Sequence, residues 1–178
     1  MMTNTAAANL AALVEELTLK PDKLGPEARA RLAEKIAAVF KVRPDDVAIL
    51  VVTQKGIFLR FIVPEKLQEI GQIPLSSASA LASRTAREKK PEIINNFAAV
   101  PHASVFEAVP LREGRGDPIQ KIMSTPILLD RKVVGVVQIC RKGKNSVSAG
   151  SDFGPQDLRE LIATAALIAP FIPLLAPG

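Results

Sequence analysis

Cys140 and His102 are the only cysteine and the only histidine among 178 residues, and they set the limits of the chain's chemistry. One thiol leaves no internal disulfide and no zinc site built on a cysteine pair. One imidazole rules out two-histidine metal centres. The hydroxyl nucleophiles are no better placed. Ser76, Ser77, Ser79 and Ser83 fall in a stretch with helical character, without a glycine elbow and with no histidine nearby in sequence. Capping by Ser76 or Ser77 and small-residue packing by the others is the plainer reading. The carboxylates Asp46, Glu65, Glu92, Glu107, Asp117 and Asp157 do not pair at spacings that suggest acid–base work. No phosphate-cradling glycine loop or dinucleotide fingerprint occurs. Gln138 stands out because it interrupts an apolar run, and a buried amide must find a partner. A backbone carbonyl is the expected partner, with a ligand as the alternative.

The elements that would carry these residues follow from periodicity. Residues 6–17 place Leu10, Leu13, Val14 and Leu17 on one helical stripe, and Pro21 and Gly25 then break the chain. Pro26 opens a second helix, with Leu32, Ala33, Ile36, Ala37 and Phe40 on its apolar side. Asp46 to Thr53 reads as a strand that Gly56 turns back into Ile57 to Pro64. A helix is expected over Ser76 to Lys90, closed by Pro91, and a short strand over Glu92 to Asn95. Residues 96–120 have no periodicity and carry Pro101, Pro110, Gly114, Gly116 and Pro118, the mark of a functional or mobile loop. A second hairpin joins Lys121 to Leu129 with Val133 to Cys140, and a last helix begins near Gly154 and Pro155. Its stripe is Leu158, Leu161, Ile162, Ala165, Ile168 and Ile172. The strands Val47 to Val52 and Val133 to Ile139 are nearly continuous apolar runs, which implies an antiparallel sheet covered on both faces.

Composition bounds the function class. With 48% apolar and 23% charged residues the chain can build a real core, but seven phenylalanines and no Trp or Tyr leave few rings for sugar or single-strand recognition. A net charge of +5 and a pI near 9.6 suit anionic ligands without identifying one, and weigh little for nucleic acid. Arg141, Lys142 and Lys144 form the densest basic cluster, read as solvated loop charge. The first residues lack the basic region of a signal peptide and turn acidic at Glu15 and Glu16, so a cytoplasmic protein is expected. Residues 161–178 carry no charge, but Pro170, Pro173 and Pro177 interrupt them. A buried or dimer-facing helix is expected there, and no membrane partner.

Three segments in this order resemble the GAF domain family. They are IPLSSASALASRTAREKKPEIINNF (Ile73 to Phe97), STPILLDRKVVGVVQICRKG (Ser124 to Gly143) and FGPQDLRELIATAALIA (Phe153 to Ala169). The resemblance covers roughly Arg31 to Ile172 and implies an α/β (α+β) fold. Its central antiparallel sheet would have five to six strands, with terminal helices on one face and a mobile cap over the other. Residues 1–25 would then be an N-terminal helical extension and 26–178 the GAF-like domain.

The resemblance also implies a small-molecule pocket beneath the cap. Its candidate lining is Leu59 and Phe61, which share a strand face, with Ser79, Asn95, Asn96, Phe97, Phe106, Met123, Thr125 and Gln138. The better-known ligands of the family find no match. The Asn-Lys and Asp-Glu pattern of cyclic-nucleotide binders is missing after Asn95, Asn96 and Phe97. Cys140 lies in a strand, away from the segment where bilins attach, and would pack as a small hydrophobe. Free methionine sulfoxide reductases of this fold need a second, resolving cysteine. His102 could in principle face a haem, though an ordinary loop histidine is the simpler reading. The expectation is a non-catalytic sensory or regulatory domain without cofactor, for an unidentified small molecule. It would be a homodimer through its terminal helices and would work through an effector protein. A basic anion- or nucleic-acid-binding protein is the alternative.

Overall fold

The structure, a computed structural model, describes residues 5–20, 24–53, 55–99 and 117–175. Among these, six strands form one antiparallel sheet: β1 (Val47–Val52), β2 (Phe58–Val63), β3 (Gln72–Pro74), β4 (Glu92–Ile94), β5 (Ile119–Leu129) and β6 (Lys132–Lys142). They lie in the order β3-β2-β1-β6-β5-β4, with every neighbouring pair antiparallel. The helices are α1 (Thr5–Leu19), α2 (Pro26–Phe40), α3 (Leu81–Glu88), α4 (Pro155–Ile168) and the single turn α5 (Ile172–Leu175). This is the expected α+β architecture.

The β5–β6 hairpin closes on Asp130 and Arg131, both at positive φ (52° and 69°), the combination that matches the twist of the flanking strands. The continuous apolar runs of β1 and β6 are explained by two-sided burial. Val47, Ile49, Val51, Val137 and Ile139 face the layer of α1, α2, α4 and α5. Ala48, Leu50, Val136 and Cys140 face the opposite way and join Ala82 and Ala86 of α3.

The helix stripes close within one chain. Leu10, Leu13, Val14 and Leu17 of α1 are buried in the same core as Leu32 and Ile36 of α2 and Leu161 and Ile168 of α4. One sheet face cannot cover them all, yet α1 stacks on α2 as an outer layer and makes the surplus internal. An excess of apolar stripe therefore does not by itself call for a second subunit. Pro26 and Pro155 each stand in the first turn of their helices, where a missing N–H costs nothing. Asp157 accepts the Gly154 N–H at 2.8 Å and holds the start of α4. Arg29 Nη1 donates to the Leu175 carbonyl at 3.1 Å and ties α2 to the last described residue.

Residues 155–175 are long and apolar enough to cross a membrane, but here a 3-10 turn at Ala169–Phe171 breaks them and their inner side packs on the sheet. Ile162, expected on the inner stripe, points outward and is 43% exposed.

Two local expectations change. The helix foreseen over 76–90 begins only at Leu81, because the chain turns first through 75–80. Arg87 Nη1 donates to the carbonyls of Leu75 and Ser77, and Ser77 Oγ accepts the Ala80 N–H at 3.2 Å, which fixes that turn. A 3-10 turn (Glu65–Ile70) and the edge strand β3 were not foreseen, being too short to show a period.

Candidate functional site

The face of the sheet that carries α3 is where the candidate ligand residues should gather, and only some of them do. Leu59, Phe61 and Phe97 meet there and are buried as core. Gln138 joins them through a polar seam between the sheet and α3. Its Nε2 donates to Ser124 Oγ at 3.1 Å, and Ser124 Oγ lies 2.7 Å from Thr85 Oγ1, which in turn donates to the Leu81 carbonyl at 2.9 Å. The partner of the amide is thus a side-chain hydroxyl, neither the backbone carbonyl nor the ligand that was expected. Arg84 closes the edge of this seam: its Nη2 donates to both Glu92 Oε1 and Oε2, at 2.9 and 2.8 Å, fixing α3 against β4.

The remaining candidates separate. Met123 packs into the opposite core beneath the terminal helices, and Thr125 follows it by the alternation of β5. Asn95 is committed to structure: its Nδ2 donates to the Phe153 carbonyl at 3.0 Å and its Oδ1 accepts the Phe153 N–H at 2.9 Å. Ser79 and Asn96 are exposed. Phe106, His102 and most of the cap lie outside the described residues. Ser124 and Thr85 were missed; Ser83, read as a packing residue, is buried and donates to the Pro74 carbonyl at 2.8 Å.

Cys140 is fully buried on the α3 face of β6. Burial pushes its thiol far above the ordinary range and outweighs the opposing pull of Lys142; Asp46 adds a smaller push upward and Arg43 a smaller pull down. A thiol held neutral is a poor nucleophile. Cys140 is therefore expected to resist a disulfide reagent such as dithionitrobenzoate at pH 8 in the folded protein and to react at once in denaturant. Rapid labelling without denaturant would contradict its placement. The same burial has a pH consequence. The folded thiol keeps its proton where the unfolded one ionises, so its contribution to stability is complete below about pH 8.5 and is lost as the pH rises beyond that.

A second cluster unites residues far apart in sequence. Lys41 and Arg43, just beyond α2, stand beside Arg141 and Lys142 at the end of β6. With Asp46 and the backbone of Ala149–Ser151 they line an open cleft of about 540 Å³. Arg141 and Lys142 are strand residues, and the Lys142 side chain is only 8% exposed, so they are not the solvated loop charges expected. Lys142 Nζ lies 3.4 Å from Asp46 Oδ1, while Asp46 Oδ2 accepts the Arg43 N–H at 3.1 Å. The nearby acids have lysine partners: Asp45 pairs with Lys66 at 2.9 Å, and Asp152 with the buried Lys121 at 2.8 Å. Lys121 also donates to the Gly150 carbonyl at 2.6 Å and anchors the loop that forms one wall.

No family model matches the chain, and no curated protein does. Solved structures do. The GAF domain of an Acinetobacter phosphoenolpyruvate-protein phosphotransferase superposes with a TM-score of 0.68 at 17% identity, covering 97% of this chain and 95% of that one. Residues 122 to 287 of a methyl-accepting chemotaxis protein give 0.64 at 14% identity, over 93% and 96% of the two chains. The free methionine-R-sulfoxide reductase of Neisseria meningitidis, in complex with its substrate, gives 0.62 at 11% identity, over 98% and 94%. Likeness over almost the full length of each partner, together with the sheet order and the two covered faces, gives this chain a GAF-like fold.

Proposed function

We propose that the chain is a cytoplasmic regulatory domain that senses a small molecule on the α3 face of its sheet. It catalyses nothing itself and passes its signal through a homodimer or an effector protein. The observation that carries the reading is the unequal covering of the sheet. One face is sealed by four helices, whereas among the described residues the other is covered by the single short helix α3 and a polar seam. A ligand bound beside α3 alters that face without disturbing the helix layer.

Two of the similar structures come from a phosphotransferase and a chemotaxis protein, and the third is an enzyme, so the fold itself is compatible with catalysis. The non-catalytic reading is supported by the side chains. The single thiol is sealed and held neutral, and the buried hydroxyls of Ser83, Thr85 and Ser124 are spent on structure. For output, the outer side of α4 and α5 presents Ile162, Leu167 and Leu174 at 43%, 36% and 55% exposure, in a stretch without charge.

Thermal-shift screening of the full chain against nucleotides, amino acids and small organic acids tests the reading. A ligand present at a hundred times its Kd adds about 2.7 kcal/mol, a rise in Tm of roughly 5–10 °C for a domain of this size. Light scattering should report a dimer. A flat screen together with a monomer would sink the proposal.

A further inference from the structure

The basic cleft at the end of β6 has charge to spare, and we propose that it binds a small phosphorylated ligand. Four cations line it, Lys41, Arg43, Arg141 and Lys142, against the single carboxylate of Asp46. Asp46 is already engaged by Lys142 and by the Arg43 N–H. Arg43 reaches it again only through Nε at 3.7 Å, and its side chain is 76% exposed. Among the described residues Lys41 and Arg141 form no ion pair, because Asp45 and Asp152 are matched by Lys66 and Lys121. Like charges drawn together in a concavity repel one another, and an anion relieves that repulsion.

The cleft is also built in advance. The Arg141 guanidinium lies over the Phe153 ring, 4.3 Å from its centroid, and Nη1 donates to the Ser151 carbonyl and hydroxyl. Its plane is fixed while its remaining N–H groups are left for a ligand. Planar guanidinium forks suit the paired oxygens of phosphate, and lysine adds a point charge. A lining with a net charge of +3 matches a phosphate or diphosphate better than a single carboxylate. The volume, about 540 Å³, lies within the range of small-molecule sites. A nucleic acid would want a charged track with rings for stacking, whereas the ring here, Phe153, is buried beneath Arg141. The cleft sits at the rim of the terminal-helix layer, apart from α3, so it stands or falls independently of the sensing site.

Pyrophosphate and inorganic phosphate are the probes, titrated into the full chain by calorimetry and amide NMR. Pyrophosphate is expected to bind more tightly than phosphate and to shift the amides of Val42, Gly150 and Ser151. The double variant Lys41→Gln/Arg43→Gln alters two exposed side chains; it should keep its Tm and bind pyrophosphate roughly tenfold more weakly or worse. Lys20→Gln, exposed on a different surface, should bind as the unaltered chain does. Equal weakening in both variants, shifts confined to other residues, or no binding at millimolar pyrophosphate would overturn the proposal. So would preferential binding to short single-stranded DNA or to phosphatidylglycerol vesicles, which would mark a diffuse basic surface.

Discussion

Gly135→Ala should destabilise the protein by about 3 kcal/mol, and Gly135→Val should prevent stable folding. Gly135 lies in β6 opposite Val51 of β1, at the centre of the sheet. A Cβ built there would overlap the Leu50 carbonyl oxygen and approach Ile172 Cγ2 to 3.2 Å. The first contact decides the outcome. A side chain can rotate away, but the Leu50 carbonyl is fixed in the ladder between two central strands, and moving it breaks register on both sides. The glycine is needed for space, since it does not adopt a positive φ. Gly25→Ala is the control, because nothing lies within 4 Å of its would-be Cβ. It should cost about 1 kcal/mol or less, the difference between glycine and alanine at the N-cap of α2. Urea denaturation decides the matter: the midpoint should fall for Gly135→Ala with an unchanged m-value. A midpoint near that of the unaltered chain would mean that β1 and β6 are farther apart than described.

How far the site could be read from sequence turns on the same hairpin. Its turn, its strands and its two-sided burial are visible because apolar runs and turn residues are local signals. Counting back from the Asp130–Arg131 turn, however, puts Met123 opposite Gln138. A bulge between Ile127 and Leu128 shifts the pairing by one residue, so that Ser124 faces Gln138 and Met123 faces Ile139. Met123 and Thr125 therefore belong to the terminal-helix core, and Ser124 takes the place opposite Gln138. The bulge is a packing outcome and leaves no mark in composition. Leu59 and Phe61 share the α3 face, as alternation along a single strand requires. The basic cleft was illegible for a plainer reason. Lys41 and Arg141 are a hundred positions apart and meet only once the end of α2 packs beside the end of β6.

The terminal helices give the other large expected effect. Leu13→Ala should lower stability by about 2–4 kcal/mol, or Tm by roughly 5–15 °C, independently of protein concentration. Leu13 is 3% exposed and lies in a core shared by α1, α2, α4 and the sheet, so its truncation leaves a void that several elements must share. Leu19 is on the same helix but 76% exposed, and Leu19→Ala should change stability by less than about 0.5 kcal/mol. The pair separates two roles for residues 1–25. If α1 were an appendage that found its partner only in a second subunit, Leu13→Ala would act through dimerisation, and its effect would grow on dilution. Packing within the chain predicts a loss that does not vary with concentration, because the surface that Leu13 covers belongs to its own α2 and α4. A dimer formed around the exposed Ile162, Leu167 and Leu174 would then survive the loss of Leu13. Melting curves at two widely separated protein concentrations distinguish these outcomes. A shift that depends on concentration would return α1 to the interface.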